Sequence, residues 1–91
     1  MAGFTDNLML EDLCIRVFNP EIKKLVGVFK NGAKAATRLG VAPTTLHRKC
    51  GKKERIFSPI YNTEFACRAA TITEEDKILI KKTEVKFPYD L

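Results

Sequence analysis

Apolar residues recur at intervals of three and four along the first thirty positions of the chain. Leu10, Leu13, Cys14, Val17 and Phe18 share one stripe of a helix, and Asp6 stands where a helix cap belongs. The spacing predicts a helix from Asp6 to about Phe18. Leu8, Met9 and Ile15 make its other faces oily too, so this helix is either central to the fold or supplies an oligomer interface. Asn19-Pro20 then reads as a second helix start, because Asn caps free amides and Pro has no amide to leave unpaired. Ile22, Leu25, Val26 and Phe29 form its inward face, and Asn31-Gly32 ends it.

The next stretch, Gly32 to Gly51, carries a different signal. Ala36 is small where two helices would cross closely, Gly40 supplies a turn four residues later, and Val41 and Leu46 plug the space between the helices. Beyond it Ser58-Pro59 marks a loop, and period-2 patches at Ile78/Ile80 and Val85/Phe87/Tyr89 predict a strand or hairpin. A competing pattern overlaps them: Thr73 followed by Glu74, Glu75 and Asp76 suits the capped start of a short helix. The combined expectation is a single, mainly α domain spanning 1–91. Residues 1–31 form two N-terminal helices, 32–52 a helix-turn-helix, and 53–91 a C-terminal extension with a small β-hairpin, the one α+β feature.

Composition narrows the class. Ninety-one residues with 45% hydrophobic side chains suffice for one core, and no apolar run approaches the roughly 20 residues that span a bilayer. The first ten residues lack the basic stretch and unbroken apolar core of a secretory signal, so a cytoplasmic location is expected and no membrane partner. Cys14, Cys50 and Cys67 are odd in number and widely spaced, which fits reduced thiols and offers no zinc knuckle. The net charge of +5 is unevenly placed: Pro20 to Ile60 holds ten bases against two acids, a balance of +8, and the rest of the chain is acidic. Such a footprint suits a polyanion.

The second helix of the central motif, from about Pro43 to Cys50 and on towards Lys52, concentrates that charge. With Leu46 and Cys50 inward, Thr44 and Arg48 point directly outward, Thr45 and Lys52 stand beside them, and His47 and Lys49 lie on the flanks. The outward face has no acid, and Arg and Thr at such positions suit guanine edges, phosphates and thymine methyls in a major groove.

These residues resemble the Fis-type helix-turn-helix, found in the nucleoid protein Fis and at the C-termini of bacterial enhancer-binding activators. The resemblance rests on Asn31, Ala35-Ala36, Leu39-Gly40-Val41, Thr44-Thr45-Leu46 and Arg48-Lys49-Cys50, and covers about 20 residues. It implies that Asn31 caps the first motif helix near a phosphate and that Thr45, His47, Arg48 and Lys49 occupy DNA-facing positions. The chain departs from the family in placing Ala42-Pro43 at the start of the recognition helix and in continuing for forty residues beyond Gly51. A weaker resemblance is to the plant and algal RWP-RK domain, through Ala-Ala-x-x-Leu-Gly-Val and a cysteine at position 50; the defining Trp-Pro is missing, since the chain has no tryptophan.

No catalytic constellation accompanies the motif. His47 and Cys50 have neither a second His nor a Cys at ligand spacing, and Glu74, Glu75 and Asp76 are better read as a cap than as a metal cluster. The expectation is therefore not an enzyme and has no cofactor; a small nuclease using His47 is the minor alternative. The leading expectation is a dimeric regulator or small architectural factor on double-stranded DNA. Lys34, Arg38 and Asn31 would hold phosphates, and Thr44, Thr45 and Arg48 would enter the groove, with His47, Lys49 and Lys52 alongside. The alternative is an accessory or viral interaction protein whose basic helix-turn-helix surface meets an acidic protein partner. RNA is disfavoured because the basic stretch offers few aromatics for stacking bases, Phe57 being the plausible exception.

Overall fold

A computed structural model describes residues 13–89. In chain order the elements are β1 (Leu13–Asn19), β2 (Lys24–Phe29), α1 (Gly32–Leu39), α2 (Pro43–Lys52), β3 (Arg55–Ser58), β4 (Thr63–Thr71) and α3 (Glu74–Val85). The strands form one antiparallel sheet in the order β2-β1-β4-β3, with α1 and α2 on one face and α3 on the other. The domain is α+β, which overturns the expectation of a mainly α fold with two N-terminal helices and a C-terminal hairpin.

The first predicted helix is, in its described part, the inner strand β1. Ile15 and Val17 point towards α1 and α2, and Cys14 points to the opposite face under α3. A central strand covered on both faces carries apolar residues on both, with Arg16 paired to Asp76 on the α3 side, so its sequence lacks the regular polar alternation that marks a half-exposed strand. That is why residues 13–18 carry apolar side chains on more than one face, and in this described part the excess is taken up by the two cores of the domain. The part from Asp6 to Asp12 lies outside the described residues.

The second predicted helix is a hairpin turn followed by β2. Asn19 does act on the next turn of chain, but its Oδ1 accepts the Glu21 N–H at 3.0 Å, making a side-chain-closed turn instead of a helix cap. Lys23 completes the reversal at φ 55°. Within the β1–β2 pair, Val17 faces Gly27 while Phe18 faces Leu25, so Val26 is an extra residue in a bulge. The bulge breaks the period-2 pattern of β2 and left Leu25, Val26 and Phe29 at helix-like intervals.

The sheet is completed by a hairpin that the periodicity did not reveal. β3 and β4 join through a turn at 59–62, with Asn62 at φ 53°. Phe65 and Cys67 alternate inward with Ile56 to meet the motif helices. The hydroxyl of Ser58 donates to the Leu39 carbonyl at 2.7 Å, which ties this hairpin to the end of α1.

Residues 74–85 form a helix rather than the expected strand, because the capping chemistry at Thr73 prevails over the short alternation of Ile78 and Ile80. Thr73 accepts the Asp76 N–H, and Asp76 accepts the Thr73 N–H at 2.9 Å, closing a reciprocal capping box. Ile80 then points into the smaller core with Cys14 and Val28, while Ile78 faces solvent. After α3 the chain passes around the β2 edge, and Phe87 is fully buried on the opposite face, 5.9 Å from the Phe29 ring and 5.8 Å from Phe65. The apolar alternation at 85–89 therefore marks a tail laid across the main core.

Candidate nucleic-acid interface

The two motif helices fold where the sequence places them. Asn31 is the N-cap of α1, its Oδ1 accepting the Lys34 N–H at 2.9 Å. At the other end Gly40 adopts φ 76°, and both it and Val41 donate their N–H groups to the Ala36 carbonyl, at 2.8 and 3.0 Å. A side chain at Gly40 would be strained by that backbone and would also collide with Ile60. Ala36, Leu39 and Leu46 are completely buried between the helices and the sheet. A residue larger than Ala at position 36 would separate the helices, so the crossing depends on its small volume.

Helix α2 is set so that Leu46 anchors it and Cys50 packs partly against the same core. Thr44, Arg48 and Lys52 are exposed on its outer surface, and no acid occurs between Pro43 and Lys52. Thr45 and Lys49 are half-buried, which places them at the margins of that surface. His47 is exposed, but its imidazole lies against the backbone of Gly32 at the start of α1. The ring therefore bridges the two motif helices. Ala42 precedes Pro43 without a side-chain cap bond, and Lys53 closes the helix at φ 59° with Lys49 and Lys52 in the last turn, where cations complement the helix dipole.

The expected phosphate-holding residues divide. Asn31 and Lys34 meet at the α1 N-terminus, whereas Lys34 and Arg38 together line a groove on the outer side of α1 with Phe29, Ile60 and Tyr61. No residue of α2 lines this groove, so Thr44, Arg48 and Lys52 belong to a separate surface. Arg38 also donates through Nη2 to the Glu84 carbonyl at 3.4 Å, linking α1 to the end of α3. Ile60 and Tyr61 were not identified as site residues from sequence. Lys30 also lines the groove, and its spacing of four from Lys34, repeated from Lys34 to Arg38, is the sequence signal for a shared basic edge.

Cys14 and Cys67 are buried free thiols, and Cys50 is half-buried. Burial pushes the Cys67 thiol up to about 12, with a smaller contribution from the neighbouring Cys50. Burial also raises Cys14, reinforced by the negative charge of Asp76. Among the described residues, no three His, Cys, Asp or Glu side chains gather as a metal site, and no helix is long and apolar enough to cross a membrane. No protein-family model, curated protein or solved structure matches the chain.

Proposed function

We propose that the chain binds double-stranded DNA, with the outer face of α2 entering the major groove. The observation that carries this reading is the acid-free exposed row of Thr44, Arg48 and Lys52 on a helix locked from behind by Leu46. Arg48 would address guanine through its two-pronged guanidinium, Thr44 a thymine methyl or phosphate, and Lys52 and Lys49 the flanking phosphates. At the edge of the groove, α1 contributes Lys34 beside the Asn31 cap. His47, lodged against Gly32, lies between the two helices and presents its outer edge to the backbone, while Thr45 borders the contact. Arg38 adds to the positive field from further round α1.

One such module touches few base pairs, so a dimer reading two half-sites about one helical turn apart is the form in which a regulator or architectural factor gains useful specificity. Titrating a labelled random duplex with the wild type, Arg48→Ala and Thr44→Ala at about 50 and 200 mM salt tests the proposal. Binding that weakens steeply with salt and falls in Arg48→Ala supports it; absence of duplex binding even at low salt refutes it.

A further inference from the structure

The groove beside α1 has a volume of about 550 Å³ and two chemically distinct parts. Phe29, Ile60 and Tyr61 give it an apolar floor, while Lys30, Lys34 and Arg38 form a basic edge. Ile60 is 59% exposed although it is a large branched hydrophobe on a turn. It is held there by the turn that Ser58 ties to α1, since the Ser58 hydroxyl donates to Leu39 and also accepts the Tyr61 N–H at 3.3 Å. Neither Lys30 nor Lys34 has a carboxylate partner among the described residues. Glu84, at the α3 end, is the one acid in the lining.

A DNA backbone could satisfy the lysines but leaves the exposed Ile60 and the aromatic floor without a counterpart. A peptide with both acids and apolar side chains satisfies both parts. We infer that this groove docks an acidic amphipathic segment of a protein partner. One or two large apolar side chains seat over Phe29, Ile60 and Tyr61, and carboxylates spaced by one helical turn meet Lys30 and Lys34. The volume accommodates a few side chains, the scale of a short helix laid in a groove. Because α2 contributes nothing to the lining, the partner leaves the row of Thr44, Arg48 and Lys52 uncovered, and its footprint meets that of a duplex at Lys34 on α1. The inference does not rest on the DNA reading.

Selection of random 12-residue peptides against the full chain, without DNA, supplies an unbiased probe. Enriched peptides should combine net negative charge with aromatic or branched residues, and a labelled representative should bind less tightly as salt rises. Ile60→Asp and Lys34→Glu should each weaken it about tenfold or more, the loss expected of an anchor at the centre of a small interface. Circular dichroism establishes that each variant remains folded, and Thr37→Glu, at another exposed position lining the groove, gives a second test by setting a like charge against the acidic peptide. Failure to enrich acidic peptides, or equal affinity for the wild type and all three variants, overturns the inference. Displacement of the peptide by random duplex, together with loss of duplex binding in Ile60→Asp, would assign the groove to DNA and overturn it too. Duplex binding that is absent while the peptide still binds removes the DNA reading alone.

Discussion

The backbone N–H of Val28 donates to the hydroxyl of Thr83 at 3.1 Å, and that hydroxyl donates to the Leu79 carbonyl at 2.7 Å. Val28 lies on β2, an outer strand of the sheet, and its N–H is directed away from β1. Helix α3 thus covers an edge that would otherwise be open to pairing with another chain. Thr83→Val keeps the shape but removes the acceptor from a buried amide. It should destabilise the domain by about 1–3 kcal/mol in chemical denaturation and increase aggregation on heating, whereas Thr83→Ser should retain much of the stability.

The same edge has no room for a side chain at Gly27. A β-carbon there would stand 3.0 Å from Phe87 Cε1 and 3.1 Å from Thr83 Cγ2. Phe87 is enclosed by Phe29, Tyr61, Phe65 and Tyr89, so its ring cannot move aside freely. Gly27→Ala should therefore cost about 1–3 kcal/mol by overpacking, measured by denaturant midpoint. Pairing it with Phe87→Leu should recover part of that loss.

On the other side of the sheet, Arg16 grips Asp76 with two bonds, Nε to Oδ1 at 3.1 Å and Nη2 to Oδ2 at 2.7 Å. The Arg16 bond is the main cause that lowers the Asp76 carboxyl from 3.8 to about 2, helped by the Thr73 N–H and hydroxyl and opposed by burial. A carboxyl more acidic in the folded state favours folding above its ordinary range, and that contribution disappears as pH falls from about 4 to 2. Asp76→Asn should lower stability by roughly 1–2 kcal/mol near neutral pH, with Arg16 partly solvated, and converge on the wild type near pH 2. Denaturation across pH 2–7 measures the difference.

Gly32 and His47 provide a test of the motif geometry. A β-carbon on Gly32 would collide with the exposed His47 imidazole. The ring can swing outward, so Gly32→Ala should cost less than about 1 kcal/mol while shifting the His47 ring resonances. In a His47→Ala background the same change should become stabilising by a few tenths of a kcal/mol, because Ala favours helix over Gly. A double-mutant cycle that shows no coupling would contradict this contact.

The central motif was legible because each feature is local. Asn31 caps, Gly40 reverses the backbone, and Ala36 and Leu46 sit one on each side of the crossing. The flanking strands were hidden for physical reasons that also act locally. β1 is covered on both faces, β2 carries a bulge, and Asn19 uses helix-start chemistry to close a turn. Towards the end, Thr73 and Asp76 announced a helix that the alternation of Ile78 and Ile80 obscured. The groove depends on a contact no local pattern records, since Ile60 and Tyr61 reach α1 only through β3–β4 pairing and the Ser58 bond to Leu39.

The start of α2 sets a limit on how finely the proposed interface discriminates sequence. Ala42 and Pro43 occupy the positions that would first enter a groove, and neither side chain donates a hydrogen bond to a base edge. Base reading then falls on Thr44 and Arg48, while Lys52 supplies charge from the last turn. Duplexes selected from a random pool should show a short preference in each half-site, of about two or three base pairs. Thr44→Ala and Arg48→Ala should relax preference at individual positions, whereas Lys52→Ala should lower affinity for all duplexes alike and reduce the salt slope by about one. A long, strongly constrained half-site, or a Lys52→Ala change that alters preference instead of overall affinity, would place the reading contacts elsewhere on the domain.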